Sequence, residues 1–150
     1  MNQAVIRTEI DTYLKAHLQE TAAAFMLQKH PFDRVSNREL TQQLVGLQKA
    51  LHKFPSLFEK HQIMYPPKIN LEQTSSETTA VYKSQLYQID NMIDLTGGFG
   101  IDVSAFAKAC SSTTHIELSK SLQEYAQHSF KVQKLQTISF QSDGIQFVKA

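Results

Sequence analysis

Apolar positions in the first part of the chain recur at helical spacing. Ile6, Ile10, Tyr13, Leu14 and Leu18 fall on one side of a helix, and "TAAAFMLQK" either continues that helix or opens a second after a break near Thr21. The first 64 residues therefore read as helical throughout. In "SNRE", Ser36 can accept from the amide of Glu39, whose carboxylate reaches back to the amide of Ser36, so a helix should start there. Leu40, Leu44, Leu47 and Leu51 then recur at i, i+4, i+7 and i+11, a stripe that ends before Pro55 and has to pack on something.

"MYPPKINLEQ" breaks the pattern: Pro66 and Pro67 exclude helix and favour an extended path, which marks a linker and a domain boundary near residue 70. Thr74 and Glu77 in "TSSE" can form a second capping box, opening a helix through "TTAVYKSQLY". Beyond it the period changes. "MIDL" (92–95), "THIEL" (114–118) and "TISFQ" (137–141) are short strand-like runs, separated by the helical stripes Val103, Phe106, Ala107, Cys110 and Leu122, Tyr125, Ala126, Phe130. Strand, helix, strand, helix, strand is the pattern of crossovers feeding a parallel sheet. The fold class is α/β: a helical N-terminal domain over residues 1–70, then, over 71–150, the first half of a Rossmann-like fold with three parallel strands and crossover helices.

In such a sheet the ligand sits beyond the carboxyl ends of the strands. Here those ends carry Asp94 in "DLTGGFGID", Glu117 in "HIEL" and Asp143 in "SDG", one acid each. Gly97, Gly98, Gly100 and Gly144 lie in the same loops and only Gly46 lies elsewhere, a concentration that folding alone does not readily explain. The glycines let the chain turn tightly and bring backbone N–H groups close to a ligand at the start of the next helix. A dinucleotide fingerprint read from Gly98 needs glycine or alanine at position 103, where this chain has Val103. An acid at the second strand end, Glu117, can accept both hydroxyls of a ribose, and Asp94 can serve a cationic ligand end such as an amino group. S-adenosylmethionine has that combination. Asp143 is equally well explained as a helix N-cap, and Asp102 reads as a first-turn acid.

Composition narrows the class without naming a partner. The chain is 41% hydrophobic and 19% charged with a formal net charge of +1, so it has no global electrostatic footprint for nucleic acid. No apolar run approaches the roughly 18 residues that span a bilayer, and the N-terminus lacks signal-peptide character, which places the chain in the cytoplasm without a membrane partner. The single cysteine, Cys110, falls at an apolar helical position and reads as buried and inert. Six histidines show no metal-pairing spacing, so no metal is expected. There is no nucleophile elbow and no phosphate loop of the Walker type.

"MIDLTGGFGID" followed by "HIEL" resembles motif I and the following acidic strand of class I S-adenosylmethionine-dependent methyltransferases, with Thr96 where the usual D-x-G-x-G-x-G loop has its first glycine. "YLKAHL", "LQKALHKFP", "YPPKINLEQTSSETTAVYK" and "DLTGGFGID", in this order, resemble a bacterial family of THUMP-like proteins assigned provisionally as methyltransferases. The resemblance runs from about residue 13 to 148 and implies S-adenosylmethionine as cofactor and RNA as substrate. It implies further that Asp94, Thr96, Gly97, Gly98 and Gly100 line the methionine end, that Glu117 holds the ribose, and that Asp143, beside Gly144, lies near the adenine amino group. Gln73, Ser76 and Lys83 would close over the site, although Lys83 by itself reads as a surface lysine.

A complete fold of that class has about seven strands, with the acceptor-binding residues after the fourth, and the fourth lies beside the first. The expectation is therefore a cofactor-binding fragment of a longer enzyme, inactive alone, with its catalytic residues unassigned. Its first strand would expose an edge open to the remainder of the enzyme or to self-association. Two other readings stay open: a non-catalytic helical interaction module with a vestigial nucleotide fold, whose leucine stripe contacts another chain, and a nicotinamide-dependent oxidoreductase.

Overall fold

The structure, a computed structural model, describes residues 2–149 and divides into two compact units, one ending at Glu72 and the other beginning at Gln73.

The first unit opens with a 3-10 turn, Gln3–Ile6, and continues with α1 (Thr8–Ala16), α2 (Ala22–Met26), α3 (Asn37–Lys53), α4 (Pro55–Phe58) and all but the last residue of α5 (Lys68–Gln73). Acids in the first turn of α1, Glu9 and Asp11, and Lys15 in its last turn complement the helix dipole. Thr21 caps α2 by accepting the amide of Ala24 at 3.2 Å. The box at α3 is complete: the Glu39 amide donates to Ser36 Oγ at 3.3 Å and the Ser36 amide to Glu39 Oε2 at 2.8 Å. Leu40, Leu44 and Leu47 are buried, packed within this unit where α3 meets α1 and α2. From there the buried row passes to Ala50 and Phe54, which leaves Leu51 38% exposed.

Helix is not continuous over the first 64 residues. Residues 27–36 are irregular, with Pro31 in the stretch and Arg34 at φ 65°. The Asn37 side chain holds this segment by donating to the carbonyls of Met26 and Gln28 at 3.0 and 2.8 Å.

The stretch read as a linker begins in the core. Ile63, Met64 and Tyr65 are buried, and α5 forms directly after the two prolines. An extended segment can be buried only if its backbone groups are paired. Gln43 Oε1 accepts the Tyr65 amide at 2.9 Å, and the side-chain amides of Gln42 and Gln43 donate to the Tyr65 carbonyl at 2.9 and 3.0 Å. Lys53 then donates to the carbonyls of Leu71 and Glu72 at 2.7 and 3.0 Å, at the end of α5.

The second unit contains α6 (Glu77–Leu86), β1 (Asn91–Asp94), α7 (Ile101–Phe106), β2 (Ser112–Glu117), α8 (Lys120–Gln133), β3 (Thr137–Gln141) and α9 (Gly144–Lys149). The cap of α6 is Ser76, which accepts from Thr79 at 3.2 Å, and not Thr74 with Glu77 as the sequence pattern suggested. The strands form one parallel sheet in the order β1-β2-β3, in register through Asp94↔His115 and His115↔Ser139. This is the first half of a Rossmann-like fold. Val103 of α7 and Ala126 and Phe130 of α8 form a buried cluster against which Met92 of β1 packs. Because side chains alternate across a sheet, Ile93 of β1 and, two strands across through Thr114, Ile138 of β3, with Phe140 two residues on, point to the other face, and there they are 55%, 57% and 44% exposed. α7 stops at Phe106, so Cys110 sits in the turn after it and is half-buried instead of buried. Among the described residues no helix is long and apolar enough to cross a membrane.

Candidate functional site

Beyond the carboxyl ends of all three strands lies a cleft of about 490 Å³, lined by Leu95, Thr96, Glu117, Leu118, Ser142, Asp143, Gly144 and Ile145. Its size falls within the range of small-molecule sites, roughly 300–1,000 Å³. Thr96, Glu117, Asp143 and Gly144, four of the residues singled out from the sequence, meet there. Asp94 sits at the end of the adjacent strand, while Gly97, Gly98 and Gly100 form the loop behind Thr96 and are not part of the lining.

Each acid is already oriented by backbone amides. Asp94 Oδ1 accepts the Thr96 amide at 2.9 Å and its hydroxyl at 3.4 Å. Glu117 Oε2 accepts the Gly98 amide at 2.9 Å, and its Oε1 accepts the Ser119 amide at 2.7 Å. Asp143 Oδ1 caps α9 through the amides of Ile145 and Gln146 at 2.8 and 3.0 Å. A carboxylate can accept about four hydrogen bonds, so all three keep acceptor capacity.

The glycine loop differs from the expectation in two ways. Its amides turn inward: that of Gly97 donates to the Ile116 carbonyl at 2.8 Å and that of Gly100 to the Gly97 carbonyl at 2.9 Å, beside the Thr96 and Gly98 bonds above. They hold the loop together instead of facing a ligand. The concentration of glycines also has packing causes after all. A Cβ at Gly97 would overlap the imidazole of His115, and one at Gly144 would overlap the Leu95 carbonyl. Gly98 and Gly100 adopt φ of 53° and 81°, which L-residues rarely do.

Sequence reasoning missed His115. The residue is fully buried on β2, with Nε2 3.1 Å from the Gly98 carbonyl, Nδ1 3.0 Å from Ser139 Oγ, and its ring edge-on to Phe130. The signal was its place two residues before Glu117, which puts both on one face of the strand. Lys83, Ser75 and Asp102 form a separate cluster: Lys83 Nζ lies 3.0 Å from Asp102 Oδ1 and 2.9 Å from Ser75 Oγ, linking α6 to the first turn of α7. Ser76 is occupied as a cap. Among the described residues no group of three histidine, cysteine or acidic side chains is arranged to hold a metal.

No protein-family model matches the chain. No curated protein matches it significantly. Among solved structures, a protein from Porphyromonas gingivalis W83, provisionally assigned as a methyltransferase, is similar at a TM-score of 0.70 and 22% identity, over 87% of this chain and 33% of that one. The two share their fold, and the present chain spans about a third of that protein's length. A methyltransferase from Geobacter sulfurreducens aligns over 95% of this chain and 61% of its own at 14% identity, with a TM-score of 0.43 that is too low to support an argument.

Proposed function

We propose that the chain is the cofactor-binding part of an S-adenosylmethionine-dependent methyltransferase. The observation that carries this reading is the character of the cleft: two carboxylates in its wall, a third at the neighbouring strand end, and exposed aliphatic side chains, Leu118 at 65% and Ile145 at 66%, among its lining. Such a site offers acceptors and apolar surface. It suits a ligand rich in donors, with a ribose diol, an ammonium group and an exocyclic amine around a flat base, and it repels a pyrophosphate. Val103 adds to the case against a nicotinamide dinucleotide, since it is packed in the buried cluster of α7 and α8.

When bound, S-adenosylmethionine supplies an electrophilic methyl group on its sulfonium. The chain's own residues would hold and orient it: Glu117 would accept from the ribose hydroxyls, Asp94 and Thr96 would serve the amino-acid end, Asp143 the adenine amine, and Leu118 and Ile145 would exclude water from the base. RNA as methyl acceptor rests on the sequence resemblance alone. The burial of Leu40, Leu44 and Leu47 within the first unit weakens the alternative of an interaction module that docks through that stripe.

Calorimetric titration of the chain with S-adenosylmethionine, S-adenosylhomocysteine and NAD tests the reading. Binding of both adenosyl ligands but not NAD, weakened about tenfold or more by Glu117→Ala, is the expected result. Binding of NAD alone would overturn it. Transfer of labelled methyl to RNA rather than protein, by the longest natural form of the chain, tests the acceptor.

A further inference from the structure

Gly98 is held at both of its backbone groups. Its amide donates to Glu117 Oε2 at 2.9 Å, and its carbonyl lies 3.1 Å from His115 Nε2. A carbonyl only accepts, so Nε2 carries the hydrogen. Nδ1 of a neutral ring is then the acceptor for the Ser139 hydroxyl at 3.0 Å, and Ser139 Oγ in turn accepts from Gln123 Nε2 at 3.3 Å. The relay runs from α8 through β3 and β2 into the loop, and every donor in it has an acceptor. His115 is 0% exposed, so any group it fixes is fixed from beneath, away from the cleft.

The two holds are unequal in a way that matters. Glu117 lines the cleft and has acceptor capacity to spare, so a ligand that engages its carboxylate shares the group that now restrains the Gly98 amide. His115 does not line the cleft and no ligand there competes for it. We infer that His115 is a positioning residue: it keeps Gly98 at its left-handed φ of 53° while Glu117 is shared with the ligand, and so keeps the loop in shape for the ligand's amino-acid end. This rests on the adenosyl-cofactor reading above. It separates two roles that a Glu117 substitution would confound, ligand contact and loop restraint.

The separation can be read from two ligands. S-adenosylhomocysteine has the amino-acid end and adenosine lacks it, while both carry the ribose and the base. Calorimetry on the full chain is expected to show His115→Phe, which keeps a ring against Phe130 but loses both nitrogens, weakening S-adenosylhomocysteine about tenfold and adenosine less than about twofold. His115→Gln, whose amide can still reach the Gly98 carbonyl, is expected to restore most of the loss. Ser139→Ala leaves the imidazole in place and frees its orientation, so the same ratio should shift in the same direction by a smaller factor; this variant decides the matter if His115→Phe does not fold. Equal weakening of both ligands, or none of either, would overturn the positioning role with the cofactor reading intact. A wild-type chain that binds neither ligand would overturn the cofactor reading itself, and the ligand role of His115 with it.

Discussion

The carbonyl oxygen of Leu95 occupies the space that a side chain on Gly144 would need. Both residues line the cleft, so the first strand end and the start of α9 meet there with no room for a side chain between them. Gly144→Ala must separate them. The expected cost is about 1–3 kcal/mol of unfolding free energy, measured in urea, with a weaker response to adenosyl ligands in the same preparation.

Gly97 and Gly98 are neighbours with different requirements. Gly97→Ala drives a methyl into the His115 ring, a buried group in a filled site, whereas Gly98→Ala meets only the Thr96 carbonyl at 3.9 Å and is opposed by its φ of 53° alone. The first should cost about 1–3 kcal/mol and disturb the His115 ring, visible as shifted imidazole resonances. The second should cost about 1–2 kcal/mol and leave those resonances in place. Equal imidazole shifts in both variants would contradict the packing described for Gly97.

At α3 the Ser36 amide, and after it the Ser36 hydroxyl, hold the Glu39 carboxyl below its ordinary range. A folded-state value that is depressed stabilises the protein above the unfolded value, near 4.5, and the contribution is lost as pH falls through the folded value. The stability difference between wild type and Glu39→Gln should therefore be complete at neutral pH and shrink below about pH 4.5. A difference unchanged down to pH 3 would show that the carboxylate charge is not what Ser36 stabilises.

The Lys83–Asp102 pair ties α6 to α7 across 3.0 Å, with side chains 45% and 26% exposed. Partly solvated pairs of this kind are worth about 0.2–1 kcal/mol. A double-mutant cycle with Lys83→Ala and Asp102→Ala should return a coupling in that range, and Lys83→Ala should leave adenosyl-ligand affinity within about twofold. A larger affinity loss would place Lys83 at the ligand after all.

What the sequence disclosed depended on how local its cause was. The capping box of Ser36 and Glu39 and the strand Thr137–Gln141 follow from neighbouring residues, and both are present as read. The cap of α6 shifted from Thr74 to Ser76 because two hydroxyls compete within one turn and spacing alone does not choose between them. Tyr65 was unreadable for a different reason. Its burial depends on Gln42 and Gln43, more than twenty positions away, supplying the hydrogen bonds that two prolines make unavailable through helix. The inward-turned amides of the glycine loop and the His115 ring beneath Gly97 are likewise tertiary facts. Of the cleft, the acids at the strand ends were legible because topology brings them together, and their present partners were not.

The open face formed by Ile93, Ile138 and Phe140 has a practical consequence for all of these measurements. Dyes that fluoresce on apolar surfaces should light up on the native chain at low temperature, so a dye-based melt would begin from a bright baseline and underreport unfolding. Label-free calorimetry or intrinsic tyrosine emission suits this protein better, since the chain has five tyrosines and no tryptophan to obscure them.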